Sequence, residues 1–222
     1  MKKIVFLGAF LLSLSFVHAQ SDFNIRFGLQ LSPTFSWLSS DVNNINGNGV
    51  NLGLKLAMMG EYYFAENYAV TSGLGFAFNH GGTLRYDGNR AFWKLEGSYQ
   101  AADAKYSVQY IEIPLGLKMR TREFGYLRYY GEPYLTIGFR SQSRGDLRDT
   151  EFNDVDIKEF VNGAALSWGL GAGVEYGLSE STAAVGGIYF QNMFTDLTKD
   201  VELGDESKTT LKAIVLRLGI LF

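Results

Sequence analysis

The chain has 222 residues, and its 20 basic and 23 acidic side chains give a formal net charge of -3. This balance provides no positive field to hold a phosphate backbone, which argues against nucleic-acid binding. The chain contains no cysteine, so disulfides, thiolate metal sites and a cysteine nucleophile are excluded.

The composition favours a single all-β domain. Glycine (26), phenylalanine (17) and tyrosine (13) are abundant, whereas proline occurs 3 times. Aromatic residues favour strands, and glycine suits positions where backbones or side chains crowd each other. A chain of this length is enough for one folded unit.

The N-terminus has the pattern of a secretory signal peptide. Met1, Lys2 and Lys3 form a basic start, an apolar stretch covers residues 4–17, and residues 17–19 offer small or modest side chains to signal peptidase. We predict that residues 1–19 are removed and that residues 20–222 form one β-barrel domain. The alternative, a membrane anchor, would need roughly 20 apolar residues.

From Phe23 onward, apolar and polar residues alternate, as in strands that have one apolar face. In the first segment, the apolar side chains from Phe23 to Trp37 occupy odd positions. The same alternation returns along the chain and ends at Phe222. We predict eight strands, within residues 23–37, 51–64, 68–79, a segment ending at 118, 129–141, 163–176, 182–194 and a segment ending at 222.

Long and short connections alternate between these segments. Long polar stretches cover residues 39–50, 80–105, 142–162 and 195–209, and tight turns lie at 65–67, 121–125 and 179–181. This layout predicts an all-β fold, an eight-stranded antiparallel up-and-down transmembrane β-barrel with four long extracellular loops. Ten strands remain open if the region 80–105 folds back through the membrane.

Charged residues indicate which face of the strands meets lipid. Those on the polar parity of the strands are Arg26, Lys55, Glu61, Glu112, Lys118, Glu132, Arg140, Glu175 and Arg217. Each basic group on the lipid face near mid-membrane would cost about 2–4 kcal/mol, and the sum would exceed a typical folding stability. We therefore predict that these charges lie in the barrel interior and pair with one another.

Glycines share that parity, among them Gly169, Gly171 and Gly173. Glycine weakens a strand and gains nothing in open water, but it leaves room in the narrow interior of an eight-stranded barrel. We expect a filled interior without a wide pore.

Aromatic residues near the strand ends are predicted to form interfacial girdles. The candidates are Trp37, Tyr62, Phe64, Tyr68, Phe78, Trp168, Tyr176 and Phe222. A soluble sandwich with these aromatics in its core is the alternative.

Four segments together resemble the PorT-type outer-membrane β-barrel proteins of Bacteroidota, a group that carries the label "porin family". They are the signal ending His-Ala-Gln, YIEIPLGLK at 110–118, GLGAGVEY at 169–176 and FTDLTKD at 194–200. The resemblance implies an outer-membrane location and, for the founding members, a link to type IX protein secretion and gliding. Phe222 also resembles the C-terminal signal that barrel-assembly machinery recognises.

His80 is the one histidine left after the predicted cleavage. It lies at the loop end of the third predicted strand, where it could act as a general base at the extracellular rim. No serine and carboxylate motif accompanies it, so we expect a solvated rim histidine and no catalytic residue. The acidic third and fourth long loops lack a calcium-binding pattern, and we expect neither a metal nor another cofactor.

The sequence therefore predicts a non-enzymatic structural or interaction protein of the cell envelope, and the resemblance implies a PorT-like role in type IX secretion. Expected partners are outer-membrane lipid, lipopolysaccharide, the barrel-assembly machinery through the C-terminal strand, and a secretion complex. The alternatives are a narrow porin-like channel for small solutes and a rim enzyme that uses His80.

Overall fold

Long antiparallel strands account for most of the computed structural model, which describes residues 25–90, 92–93, 99–148, 150–199 and 208–222. The predicted signal peptide, residues 1–19, lies outside the described residues. The strands are β1 (Ile25–Ser40), β2 (Ile45–Ala65), β3 (Tyr68–Arg90), β4 (Tyr99–Arg120), β5 (Leu127–Leu147), β6 (Val155–Asp156), β7 (Ala164–Gly177), β8 (Ala183–Met193) and β9 (Thr209–Leu221). A 3-10 helix covers Lys158–Phe160. Within these residues, no helix is long and apolar enough to cross a membrane.

Eight of the strands close into a ring. Each long strand pairs with the next along the chain, β5 pairs directly with β7, and β9 pairs with β1 through contacts such as Leu218 with Leu31. The two-residue β6 adds to the loop end of β5. The predicted eight-stranded antiparallel up-and-down barrel is therefore confirmed, and the ten-stranded alternative is wrong, because residues 80–90 and 99–105 continue the pairing of β3 with β4.

Alternation along the strands separates two surfaces. Outward-facing apolar residues such as Phe27 and Leu52 are 61% and 64% exposed, whereas inward-facing Lys118 and Glu132 are each 1% exposed. Successive side chains of a strand point to opposite faces, so the period of two in the sequence becomes an apolar outer wall around a polar lumen.

The predicted long loops are shorter than expected, because several strands continue into them. β2 begins at Ile45, β3 reaches Arg90, β4 starts at Tyr99 and β5 ends at Leu147. The upper parts of β3, β4 and β5 carry polar residues on the outside, such as Arg85 paired with Asp103 at 3.3 Å. The sequence prediction required an apolar outer face, and strands that extend beyond the membrane into water do not need one.

Bulges at the same level of neighbouring strand pairs interrupt the alternation of apolar and polar residues, so the sequence pattern does not reveal this extension. Asn79 has a φ of 54°, and the β3–β4 register shifts between Ala77 and His80. A second shift separates Gln109 from Tyr110 in the pairing of β4 with β5. A bulge inserts an extra residue, so the inward face of β3 changes from odd to even positions.

Candidate functional site: the filled lumen

The lumen contains three groups of paired charges, and the group nearest the short turns is centred on Lys118. Its ammonium lies 2.6 Å from the Glu61 carboxylate and also pairs with Glu175. Glu175 forms a second ion pair with Arg26 at 3.2 Å, and the Tyr63 hydroxyl donates a hydrogen bond to Glu61 at 2.7 Å. The period of two brings these side chains inward, and the closure of the ring places strands that are distant in sequence around one point.

Glu132 on β5 is the centre of the middle group. Its two carboxylate oxygens accept hydrogen bonds from Thr71 at 2.6 Å, from the Tyr189 hydroxyl at 2.6 Å and from Arg217 at 2.6 Å. The Arg217 guanidinium also lies 3.7 Å from the centre of the Tyr189 ring, within the range of a cation–π contact. Charge-assisted hydrogen bonds of this kind satisfy a carboxylate that is almost completely buried.

The third group, toward the loop end, pairs Lys55 with Glu112. The Lys55 ammonium lies 2.7 Å from one oxygen of Glu112 and 2.7 Å from the side-chain oxygen of Gln191. Removing a single member of such a group would leave a buried charge without its partner, which is costly. The three groups together cross the lumen and connect the eight strands of the ring.

Arg140 differs from the other eight predicted interior charges, because it meets backbone carbonyls instead of a carboxylate. Its guanidinium donates to the carbonyl of Val161 at 2.8 Å and to that of Lys158. It therefore ties the 3-10 segment between β6 and β7 to the barrel wall. Among the described residues, no carboxylate lies within ion-pair distance of Arg140, because a connecting segment, whose position depends on the tertiary fold, reaches its guanidinium.

Arg120 belongs to the group nearest the short turns, although it is not among the predicted interior charges. Its guanidinium lies 4.0 Å from the centre of the Tyr63 ring and 3.9 Å from the Glu175 carboxylate. It shares the even parity of Glu112 and Lys118 on β4, so extending that alternation by one step would have found it.

Glycines on β7 make room for three inward-facing tyrosines. Side chains at Gly169, Gly171 and Gly173 would overlap the rings of Tyr134, Tyr189 and Tyr130, respectively. Each glycine thus faces a large side chain from another strand, as close packing of a narrow barrel requires. The rings fill the space between the ion pairs.

A cluster of apolar residues that was not predicted from the sequence, the apolar plug, closes the loop side of the lumen. It consists of Leu38, Leu84, Phe92, Trp93, Tyr106, Leu147, Ile157, Phe160, Leu197 and Leu211, which are all buried. Several of these residues are isolated apolar positions within stretches that read as polar loops. The connection between β5 and β7 contributes Ile157 and Phe160, so part of a predicted loop lies inside the barrel.

His80 lies in the lumen, so the expectation of a solvated histidine at the rim is wrong. The residue is 1% exposed, and its ring meets that of Tyr110 edge-on with 6.4 Å between centroids. Within the described part of the chain, neither ring nitrogen has a hydrogen-bond partner. The bulge at Asn79 turns His80 inward, and the upper halves of β3 and β4 continue above it.

The predicted girdle residues all lie on the outer wall. Tyr62, Phe64, Tyr68, Tyr176 and Phe222 are exposed near the short-turn end, and Phe78 and Trp168 are exposed nearer the loop end, where Trp37 is half-buried. Among the described residues, no group of three or more metal-ligating side chains is close enough to hold a metal ion.

A model of the family described as "Outer membrane protein beta-barrel domain" matches residues 18–198. No curated protein sequence matches the chain. Solved structures with a similar fold include Neisserial surface protein A, which is 12% identical over 88% of this chain and 95% of that chain, with a TM-score of 0.46. OprG from Pseudomonas aeruginosa is 13% identical over 91% and 97% of the two chains, with a TM-score of 0.41. The outer membrane protease OmpT from Escherichia coli is 8% identical over 91% and 98%, with a TM-score of 0.45.

Proposed function

The chain belongs to the outer membrane protein β-barrel domain family, and from this premise we propose that it is a non-conducting, non-enzymatic barrel that serves the envelope as a structural or interaction protein. Its location is the outer membrane. The apolar outer wall holds it in lipid, and its extended strands and loops present a polar surface outside the membrane.

The observation that supports a non-conducting role is the series of side chains that occupy the described part of the lumen. Three groups of ion pairs occupy the part nearer the short turns, tyrosine rings fill the gaps between them, and the apolar plug lies above. An eight-stranded barrel is only wide enough for side chains to fill its interior. A path for solutes would require several of these buried pairs to separate, and each separation would be costly.

The position of His80 supports the absence of catalysis. A general base must reach its substrate directly or through one water. The rim-enzyme hypothesis placed His80 at the surface, but His80 is 1% exposed and faces the lumen next to the bulge at Asn79.

Recording from single proteins in planar bilayers tests the proposal against the narrow-channel alternative. We expect no conductance steps from the refolded barrel at moderate voltage, with a general porin in the same bilayers as the control for reconstitution. Steady steps well above leak would overturn the proposal and favour a solute channel.

The resemblance to PorT-type proteins supports a specific form of the interaction role, in type IX protein secretion. At the short turn between β4 and β5, Phe124 and Tyr126 are 65% and 68% exposed, and they are the candidate contact for such a partner. Tagged chain purified from its native envelope should then carry secretion components, and Phe124→Ser/Tyr126→Ser should lose them. If neither the wild-type chain nor the variant carries a secretion component, the proposed role in type IX secretion is wrong.

A further inference from the structure

Lys212 on β9 lies on the outer wall, at the loop-side edge of the apolar band. The outward-facing residues of β9 run from Lys212 through Ile214, Leu216, Leu218 and Ile220 to the chain end at Phe222. At about 3.3 Å per residue and a tilt of about 45°, the distance from Lys212 to Phe222 corresponds to roughly 23 Å of membrane thickness. Apolar bands of outer-membrane barrels are about 25 Å tall, so Lys212 lies at the outer-leaflet interface.

Lys212 differs from two outward-facing cations of β3 and β4, Arg85 and Lys105. Higher on the wall, Arg85 pairs with Asp103 at 3.3 Å, and Lys105 pairs with Asp146 at 3.4 Å. Among the residues that the structure describes, no carboxylate lies within ion-pair distance of Lys212, which is half-buried. A partly desolvated ammonium at a membrane interface favours an anion from the lipid.

The strands on either side of Lys212 add aromatic and amide groups at the same place. Trp37 on β1 and Asn192 on β8 are its neighbours in the sheet, and Trp168 on β7 is the neighbour of Asn192. The Trp168 ring packs edge-on against Phe190, with 5.9 Å between centroids. We call Trp168, Asn192, Lys212 and Trp37 the interfacial row.

We propose that the interfacial row binds a phosphorylated glycolipid of the outer leaflet, of the lipid A type, through its phosphate. The Lys212 ammonium pairs with the phosphate, and the Asn192 amide nitrogen donates to a hydroxyl group of the sugar, because the amide oxygen is buried within the described structure. The two indoles flank the headgroup, where tryptophan is favoured in membranes, and the acyl chains run along Ile214 and Phe190.

The position of the row selects a glycolipid over a phospholipid. The row lies at the edge nearer the long connections, which faces the outside in barrels of this kind, and phosphorylated glycolipid is the anionic lipid of that leaflet. This inference rests on the outer-membrane location and does not depend on whether the lumen conducts.

Native mass spectrometry of the full chain in nanodiscs of neutral phosphatidylcholine tests the site, with bisphosphorylated lipid A as the added probe. We expect one tightly retained lipid A and a dissociation constant about fivefold higher for Lys212→Met. Lys212→Arg should bind as the wild type does. Lys105→Met is the matched control, because it removes an outward-facing cation that already has a carboxylate partner.

Two further arms identify the ligand. Dephosphorylated lipid A should lose the preference for the wild type over Lys212→Met, and phosphatidylglycerol should be retained more weakly than lipid A. Equal retention by the wild type and Lys212→Met would overturn the site, and retention of phosphatidylglycerol as strong as that of lipid A would overturn the glycolipid assignment. The retention of lipid A does not depend on whether the barrel conducts in planar bilayers. Failure of the lipid test can therefore be distinguished from failure of the conductance test.

Discussion

The ring of Tyr189 on β8 occupies the space that a side chain at Gly171 on β7 would fill, and the two residues are paired neighbours in the sheet. The ring cannot move away cheaply, because its hydroxyl donates to Glu132 at 2.6 Å. Packing and charge pairing in the lumen are therefore connected through one tyrosine.

Gly171→Val should destabilise the barrel, because the new side chain would push the Tyr189 ring away from Glu132. We expect a loss of about 1–3 kcal/mol in the free energy of unfolding, typical of overpacked interiors. Urea unfolding from lipid vesicles measures the change. Gly186→Val on β8 is the matched control, since nothing lies within 4 Å of a Cβ at that position. Equal stability of the two variants would contradict the packing account.

Glu132→Leu should be more harmful alone than together with Arg217→Met. The single change leaves the Arg217 guanidinium buried without its carboxylate, which costs about 3–5 kcal/mol. The double variant replaces the pair with apolar groups and should recover much of that loss. The same unfolding assay on wild type, both single variants and the double variant gives the coupling energy. Additive losses would mean that the 2.6 Å contact contributes no pairing energy.

His80→Leu should change stability little, because no hydrogen bond to either ring nitrogen is lost within the described structure. We expect a change of less than about 1 kcal/mol, since replacing an unpaired polar group by an apolar one is nearly neutral. Asn51→Leu provides the contrast, because the Asn51 amide donates to the buried Tyr106 carbonyl at 2.8 Å, and its loss should cost about 1–3 kcal/mol. A loss above about 2 kcal/mol for His80→Leu would indicate that its ring is hydrogen-bonded in the lumen.

Single cysteines can report whether water reaches the lumen, because the chain has none of its own. Thr136 faces inward and is 4% exposed, Leu135 faces outward and is 53% exposed, and Asn46 lies on the exposed start of β2. With barrels in vesicles, a charged water-soluble thiol reagent should modify Asn46→Cys rapidly. Thr136→Cys and Leu135→Cys should react at least about tenfold more slowly, because position 136 is packed in the lumen and position 135 faces lipid. Rapid labelling of Thr136→Cys would contradict a filled interior.

Sequence reasoning worked best where one rule acts along a single strand. Alternation at Phe23 to Trp37 and at the strand ending in Phe222 predicted both the strands and their outer face, since the two faces of a strand differ by one residue. Prediction from alternation was less accurate for the parts of the strands that extend beyond the membrane. The upper halves of β3 and β4 have polar outer faces, and the bulge at Asn79 interrupts the alternation, so they were interpreted as a loop with His80 at its edge.

The sequence by itself determined that this chain forms eight membrane-crossing strands with apolar residues outside and charges and glycines on the opposite face, because those properties follow from a period of two and the cost of placing charge in hydrocarbon. Only the tertiary structure decided that Lys118 meets Glu61 and Glu175, that Arg140 holds a loop carbonyl and that Phe160 lies within the lumen. These contacts join strands and connections far apart in the chain, and their partners depend on ring closure, register and bulges, which a local pattern does not encode.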